Sequence, residues 1–190
     1  MRKKILFLAG MMACCSLAGA QEISKTWVAD KGNGTYQNPV LHADYSDPDV
    51  CAAGDDFYMT ASSFNCIPGI PILHSNDLVN WSLVNCALPI QEPEEFFDKA
   101  QHGKGVWAPA IRFHNGEFYI YWGDPDYGIY MIKAKDPKGR WSKPVLVKAG
   151  KGMIDPTPLW DEDGKVYLVH AYAGSRSGVN SIVVICELNA

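Results

Sequence analysis

The feature that most constrains the fold of this chain is one layout that occurs three times along it. Each copy begins with a residue followed by proline: Asp47-Pro48, Ala108-Pro109 and Asp155-Pro156, with the prolines 61 and 47 residues apart. A polar turn with glycine follows, then an aromatic strand and a further apolar strand. Repeats of about 40–50 residues built from short strands are typical of four-stranded propeller blades. The repeat therefore predicts a β-propeller, of which this chain holds three blades at most.

The rest of the composition along the chain agrees with an all-β fold. The predicted strands are short, rich in Val, Ile, Tyr and Phe, and bounded by Gly, Asn and Asp turns. No sustained apolar period of 3.6 residues is present after the N-terminal segment. The stretch "EPEEFFDKAQ", residues 92–101, predicts one short helical turn or an insertion loop. Trp81, Trp141 and Trp160 are expected to pack between blades.

The repeated prolines indicate where side chains could meet. Proline cannot donate to a sheet ladder and therefore belongs on an edge strand. In a propeller the innermost strand of each blade is such an edge and lines the central channel, so the residues before the three prolines should converge. Two of them are aspartates, Asp47 and Asp155. The alternative is that both aspartates only cap turns, as Asp-Pro often does.

Two carboxylates that face one pocket from different blades suggest glycoside hydrolysis. In that reaction one carboxylate removes a proton from water while a second carboxylic acid protonates the leaving oxygen. Inverting enzymes hold the two groups roughly 6.5–9.5 Å apart so that the water fits between them. Residues on different blades could supply this separation.

Four segments in order carry a resemblance to a known family. They are "NPVLHADYSDPDVCAAGDDFYMTASSF", "PGIPILHSNDLVNW", "GVWAPAIRFHNGEFYIYW" and "GMIDPTPLWDEDGKVYLV". Together they resemble successive blades of glycoside hydrolase family 43, which includes β-xylosidases and α-L-arabinofuranosidases on a five-bladed β-propeller. The resemblance runs from about Gln37 to the end. It implies a partial catalytic propeller over residues 37–190, truncated at its C-terminus and covering about the first three blades, after a lead-in segment at residues 21–36.

The resemblance also implies roles for the two aspartates. The family is inverting; the aspartate that matches Asp47 is its general base, and the one that matches Asp155 modulates the pKa of the acid and orients it. The family's general acid is a glutamate in a later Glu-Gly-Pro block, which has no match here. Glu187 is not followed by Gly-Pro and receives no role. We therefore expect the chain to be an N-terminal portion that is inactive alone.

Two aromatic residues match positions of the family's sugar pocket. Trp107 resembles the pocket tryptophan, and Phe64 resembles an aromatic that walls the first subsite, where an aromatic face suits the C–H face of a sugar. Packing in the core is the alternative for each. Asp44 and Asp49 flank the base; Asp49 could shape the pocket electrostatically, and a solvated or hydrogen-bonded turn aspartate is the alternative for both.

No cofactor is required by this chemistry, and a structural cation in the propeller channel is left open. His74 and His170 lie in apolar strands, where satisfied core histidines are expected. A channel-lining His170 near a bound cation is the alternative. Neither aspartate at the repeat position is assigned to a metal.

The N-terminus predicts export. Residues 1–20 combine the basic "MRKK", the apolar "ILFLAGMMACCSLAG" and the small residues Ala18-Gly19-Ala20, which is the pattern of a signal peptide cleaved near Ala20. The apolar run is shorter than the about 20 residues that a transmembrane helix needs. The protein is therefore expected in the periplasm or outside the cell, with lipid attachment through Cys14 as the alternative.

Charge and cysteine content narrow the partners. The chain has 21 Asp and Glu against 17 Lys and Arg, a net charge of −4, which disfavours nucleic acid and anionic membrane. The cysteines after the predicted signal show no CxxC pair, so zinc is not indicated. Buried free thiols and a Cys66–Cys86 bridge are both left open; the four residues are Cys51, Cys66, Cys86 and Cys186.

We therefore expect an exported glycosidase of hemicellulose-derived pentosides, with xylo- or arabino-oligosaccharides as substrate. The alternative from another class is a non-catalytic carbohydrate-binding propeller, which would not need both aspartates.

Overall fold

The computed structural model describes residues 26–189 as an all-β protein. The predicted signal peptide and the first residues of the lead-in segment lie outside the described residues. Eleven strands form three antiparallel sheets in which the strands follow one another in chain order. The first two sheets have four strands and the third has three. This confirms the predicted all-β architecture of successive propeller blades.

The bounds of the elements are as follows. The first sheet contains β1 (Asp49–Ala53), β2 (Asp56–Thr60), β3 (Gly69–Ser75) and β4 (Ser82–Leu88). The second contains β5 (Trp107–His114), β6 (Glu117–Asp124), β7 (Gly128–Ala134) and β8 (Val145–Ala149). The third contains β9 (Met153–Trp160), β10 (Val166–Tyr172) and β11 (Val183–Leu188). Two single-turn helices, α1 (Glu94–Phe97) and α2 (Gly174–Ser177), lie in connections. The helical turn expected within residues 92–101 is thus confirmed; α2 was not predicted.

The repeat is visible in the backbone of the first hairpin of each blade. Gly54, Gly116 and Gly164 occupy the three hairpin turns with φ of 64°, 80° and 84°. These values lie in the left-handed region, where glycine is favoured because it has no Cβ. The glycine of each repeat therefore serves one purpose, which is to close the hairpin between the innermost strand and the aromatic strand.

The main hydrophobic core fills the space between the first two blades. It joins residues of β1 to β4 with residues of β5 to β7. Complete burial of such side chains stabilises a fold by about 1.5–3 kcal/mol each. Its largest members with almost no exposure are Ile70, Ile72, Leu88, Ile111, Ile120, Trp122 and Ile132. A second cluster, which includes Ile129, Met153 and Leu168, packs the third blade against the second.

Two of the three tryptophans expected between blades lie there. Trp141 belongs to the core shared by the first two blades, and Trp160 of the third blade stacks on His114 of the second with ring centroids 4.6 Å apart. Trp81 differs, since it belongs to neither core cluster; its indole N–H donates to the carbonyl of Leu78 at 3.0 Å within its own turn. The closing turn of the first blade thus satisfies its own tryptophan.

A charged contact also joins the first two blades. Asp49 on β1 accepts a hydrogen bond from the backbone N–H of Ile111 at 2.7 Å and forms an ion pair with Arg112, both on β5. The hydrogen-bonded alternative for Asp49 is therefore correct, with partners on the next blade rather than in its own turn. Because Arg112 neutralises this carboxylate, Asp49 contributes little negative field to the pocket.

The cysteines form no disulfide among residues 26–189, so the Cys66–Cys86 bridge is not present. Cys51 is a buried thiol, as expected, and burial raises its pKa to about 12. Cys66 is exposed, which contradicts the expected burial. The reason is that Cys66 lies in the loop between β2 and β3 rather than in a strand.

Among the described residues, no helix is long and apolar enough to cross a membrane.

Asp124 is a buried carboxylate at the end of β6, with 1 % exposure. Its Oδ1 accepts the backbone N–H groups of Asp126 and Tyr127, and its Oδ2 accepts Nε2 of Gln91 at 3.3 Å. Burial nevertheless raises its pKa to about 6, because desolvation of the charged form outweighs these hydrogen bonds.

Asp124 should make the protein less stable as the pH rises. The folded-state pKa lies above the unfolded value of about 3.9, so this stabilising contribution is complete below that value and is lost as the pH rises through about 6. Asp124→Asn should remove a loss of about 2 kcal/mol between pH 4 and pH 7. Urea unfolding at several pH values measures it, with the exposed Asp55→Asn as control. Parallel pH dependence in wild type and Asp124→Asn would contradict the assignment.

Candidate active site

The three residues before the repeated prolines share an unusual backbone conformation. Asp47, Ala108 and Asp155 have φ of 51°, 35° and 53°. A residue before proline prefers extended conformations, and a residue other than glycine in the left-handed region is strained by roughly 1–3 kcal/mol. Such strain persists only where the surrounding structure enforces it and is common at functional sites. Its recurrence at equivalent positions of three blades marks the segments around these three residues as the candidate site.

Asp47 lies just before β1 with an exposed side chain that is held on one side. Its Oδ2 accepts hydrogen bonds from the hydroxyls of Ser62 at 2.7 Å and Ser46 at 3.1 Å. No residue within 26–189 donates to its Oδ1. The carboxylate therefore has one oxygen fixed by the protein and one oxygen open to the cleft.

Asp155 lies on β9, the innermost strand of the third blade. Its carboxyl is open to solvent but flanked closely by protein, and this partial desolvation is the main cause that raises its pKa. The negative charge of Asp47 is the second cause. The two aspartates of different blades thus lie within electrostatic range, as their repeat positions predicted.

The two predicted pocket aromatics contact each other. Phe64, in the loop after β2, and Trp107, at the start of β5, meet edge to face with ring centroids 6.0 Å apart. Both rings are half-buried, so they are neither fully core nor fully exposed. The indole N–H of Trp107 donates to the carbonyl of Gly103 at 3.0 Å, which fixes the ring. The structure therefore places an aromatic pair across the first two blades, the first of which also carries Asp47.

Arg176 is a neighbour of this pair that the sequence did not indicate. Its guanidinium lies 6.0 Å from the centre of the Trp107 ring, and its Nε pairs with Asp126 at 3.2 Å. The residue comes from α2 in the third blade and reaches over to the second. The residue spacing did not predict the contact between Arg176 and Trp107, because α2 itself was not predicted.

The aromatic pair depends on a close backbone approach at Gly105. The N–H of Gly105 donates to the carbonyl of Phe64 at 2.9 Å, next to a pair of hydrogen bonds between Ser63 and Val106. A Cβ at Gly105 would lie 2.2 Å from the carbonyl oxygen of Ser63 and 2.9 Å from that of Phe64. Only glycine therefore allows the loop that carries Phe64 to lie against the segment that carries Trp107.

No metal centre is apparent in the part of the chain that the structure describes, since it contains no group of three or more His, Cys, Asp or Glu able to hold an ion. His170 is buried, its Nδ1 lies 3.1 Å from the carbonyl of Ala171, and its ring packs edge-on against Tyr172. Its expected burial in the core is confirmed, but it is not fully satisfied, because its buried Nε2 has no hydrogen-bond partner among the described residues. A cation near it remains a prediction, and no step below depends on one.

Comparison with known proteins agrees with this fold. The profile of "Glycosyl hydrolases family 43" matches residues 36–190. The chain belongs to glycosyl hydrolase family 43.

Curated relatives of the family carry the names of two pentosidase activities. A putative β-xylosidase of Xylanibacter ruminicola is 38 % identical over 161 residues, covering 85 % of this chain and 29 % of the relative. A non-reducing end α-L-arabinofuranosidase of Bacteroides ovatus, BoGH43B, is 38 % identical over 139 residues, covering 71 % of this chain and 26 % of the relative. The chain thus spans less than a third of the length of these relatives.

Solved structures agree on the fold. A GH43_12 protein from a capybara gut metagenome superposes with a TM-score of 0.66 at 34 % identity, covering 80 % of this chain and 29 % of that one. The BlXynB K247S mutant of Bacillus licheniformis gives a TM-score of 0.67 at 34 % identity, covering 81 % and 30 %. The three described blades therefore correspond to part of each of these larger enzymes.

Substitution of Gly105 should test the aromatic pair. Gly105→Ala places a Cβ against two backbone carbonyls, so the loop of Phe64 must move away from Trp107. We expect a loss of about 1–3 kcal/mol in the free energy of unfolding and a higher KM for aryl pentosides. Gly139→Ala, where a Cβ meets nothing nearer than 3.4 Å, is the control. Equal behaviour of the two variants in urea unfolding and steady-state kinetics would refute the role of this contact.

Proposed function

We propose that the gene product carrying this chain hydrolyses pentosides derived from hemicellulose, with inversion at the anomeric carbon. The observation that carries the proposal is that Asp47 and Asp155 occupy equivalent strained positions, at positive φ before proline, on two different blades. Xylo- and arabino-oligosaccharides are the proposed substrates, in keeping with the names of the relatives. The predicted signal peptide would place the reaction outside the cytoplasm.

Asp47 is the proposed general base. Its Oδ2 is held by two serine hydroxyls, so Oδ1 can accept a proton from a water molecule in the cleft. That water attacks the anomeric carbon; the new C–O bond forms as the bond to the leaving oxygen breaks on the opposite face. The proton of the water goes to Asp47, and an acid protonates the leaving oxygen.

Asp155 is the proposed modulator of that acid. A nearby negative charge favours the protonated form of a carboxylic acid and so raises its pKa toward the working pH. Glu187 does not fit the acid role, because it lies on β11 and pairs with Lys165 at 3.4 Å. The acid is therefore not assigned within residues 26–189, and we expect the 190-residue chain to be inactive by itself.

The aromatic pair is the proposed wall of the sugar site. Phe64 and Trp107 present half-buried rings from two blades, and an aromatic ring packs well against the C–H face of a pyranose or furanose. The guanidinium of Arg176, whose Nε pairs with Asp126, lies 6.0 Å from the centre of the Trp107 ring and carries further N–H donors. Such donors suit sugar hydroxyls.

Removal of the base should abolish turnover. Asp47→Asn is nearly isosteric but cannot accept the proton of water, so kcat should fall by about 10²–10⁴-fold in the gene product. Release of nitrophenol from aryl xyloside and aryl arabinofuranoside measures this. Asp44→Asn, an exposed neighbour in the same segment, should stay within about twofold. If Asp47→Asn keeps more than half of the parent kcat, the base lies elsewhere; sugar binding without any turnover in the wild type would indicate a carbohydrate-binding propeller instead.

Neutralisation of Asp155 should change the pH profile. Asp155→Asn removes a negative charge beside the acid, which lowers the pKa of that acid, so the basic limb of the pH–rate profile should move to lower pH and kcat should fall. Initial rates across the pH range measure both effects. A profile and a kcat that match the parent enzyme would leave Asp155 as a turn residue only.

A further inference from the structure

The hydroxyl of Ser62 joins two blades at the candidate site. Ser62 follows β2 and is half-buried, with its Oγ 2.7 Å from Oδ2 of Asp47 and 2.9 Å from the backbone N of Ala108. Its own backbone N–H donates to the carbonyl of Ser46 at 2.9 Å. One residue therefore contacts the turn that carries Asp47 and the equivalent turn of the second blade.

The direction of the Ser62 proton follows from its partners. The backbone N–H of Ala108 can only donate, so Oγ of Ser62 accepts there. A hydroxyl has a single proton, and an ionised carboxylate can only accept. The proton of Ser62 must therefore point at Oδ2 of Asp47.

This arrangement gives the two carboxylate oxygens of Asp47 different environments. Ser46 donates to the same Oδ2 at 3.1 Å, so both hydroxyl protons converge on one oxygen. Rotation of the carboxylate about its Cβ–Cγ bond would break both bonds. Oδ1 keeps its lone pairs free of hydrogen-bond donors from residues 26–189.

The bond to Ala108 extends the effect to the second blade. Ala108 has φ of 35°, a strained conformation for alanine before proline, and its N–H is held by Ser62 rather than by a neighbouring strand. Trp107 precedes Ala108 directly, so the same bond fixes the start of the segment that carries the aromatic ring. One hydroxyl group therefore fixes both the carboxylate of Asp47 and the start of the segment that carries Trp107.

We propose that Ser62 is a positioning residue for the hydrolysis, which holds Asp47 so that Oδ1 receives the proton of the attacking water. The inference rests on the proposed role of Asp47 as the base. A hydroxyl that positions the base acts on the chemical step, whereas a residue that only binds sugar acts on substrate affinity. Loss of the Ser62 hydroxyl should therefore lower kcat with little change in KM.

The test compares variants of the gene product that differ in the hydroxyl. Ser62→Ala and Ser62→Val should reduce kcat by about 10- to 100-fold, the size expected when a catalytic group is displaced by about 1 Å, with KM within about twofold. Threonine has nearly the shape of valine but keeps the hydroxyl, so Ser62→Thr should retain most of the parent kcat. Ser46→Ala should have a smaller effect than Ser62→Ala, because its bond is longer and stays within one turn.

A matched control separates position from stability. Ser75→Ala also removes a buried hydroxyl, which accepts the N–H groups of Asp77 and Leu78 in the turn after β3. It should lower the free energy of unfolding without changing kcat. Urea unfolding of every variant shows whether a kinetic change merely follows loss of folded protein.

Several results would overturn the proposal. Parent-like kcat in Ser62→Ala, or equal kcat in Ser62→Val and Ser62→Thr, would show that the hydroxyl does not position the base. A raised KM at unchanged kcat would assign it to sugar binding, and failure of the Ala and Val variants to fold would assign it to stability. Asp47→Asn is measured alongside: if it is active, the proposed base is wrong, whereas an inactive Asp47→Asn with active Ser62→Ala refutes only the role of Ser62.

Discussion

The left-handed turn before each repeated proline is the constraint on which the rest of the site depends. Proline fixes the innermost strand of a blade as an edge, since it cannot donate to a ladder. The preceding residue, Asp47, Ala108 or Asp155, is held at positive φ against its own preference. All three blades adopt a positive φ at the residue before the repeated proline. In two of them that residue is an aspartate proposed to act in the reaction.

Polar contacts at the inner strands of the first two blades also run from one blade to the other. Asp49 of the first blade is held by Arg112 and the amide of Ile111 on the second. Ser62 of the first blade is held by the amide of Ala108 on the second. Hydrogen bonds to charged groups are stronger than neutral ones, typically about 1.5–3 kcal/mol. The inner ends of the blades are therefore aligned by directional bonds, while their outer parts are packed by nondirectional aliphatic contacts.

The sequence could predict those parts of the site that repeat or that resemble a known pattern. Asp47 and Asp155 were found because a turn aspartate before proline recurs at equivalent places, and recurrence relates residues that are far apart in the chain. Phe64 and Trp107 were found by resemblance to family 43, and the structure shows that they contact each other. Their roles in sugar binding remain proposals.

The remaining contacts could not be predicted because they depend on how one blade is placed against the next. Ser62 sits in an ordinary "ASS" stretch, and Arg176 in a glycine-rich connection whose single helical turn has no periodic signal. Cys66 was expected to be buried from its apolar neighbours, but neighbours in a loop do not determine which side of it faces solvent. Distances between blades are set by packing, which a local pattern does not encode.

Ala108 has a consequence for the kind of ligand that the cleft can accept. It shares the backbone conformation of the two aspartates but carries a methyl group in place of a carboxylate. A third carboxylate converging with theirs would form the oxygen-rich, strongly negative cluster that hard divalent cations prefer. Because Ala108 is uncharged, only two of the three equivalent positions carry a carboxylate, and the negative charge at these positions comes from Asp47 and Asp155.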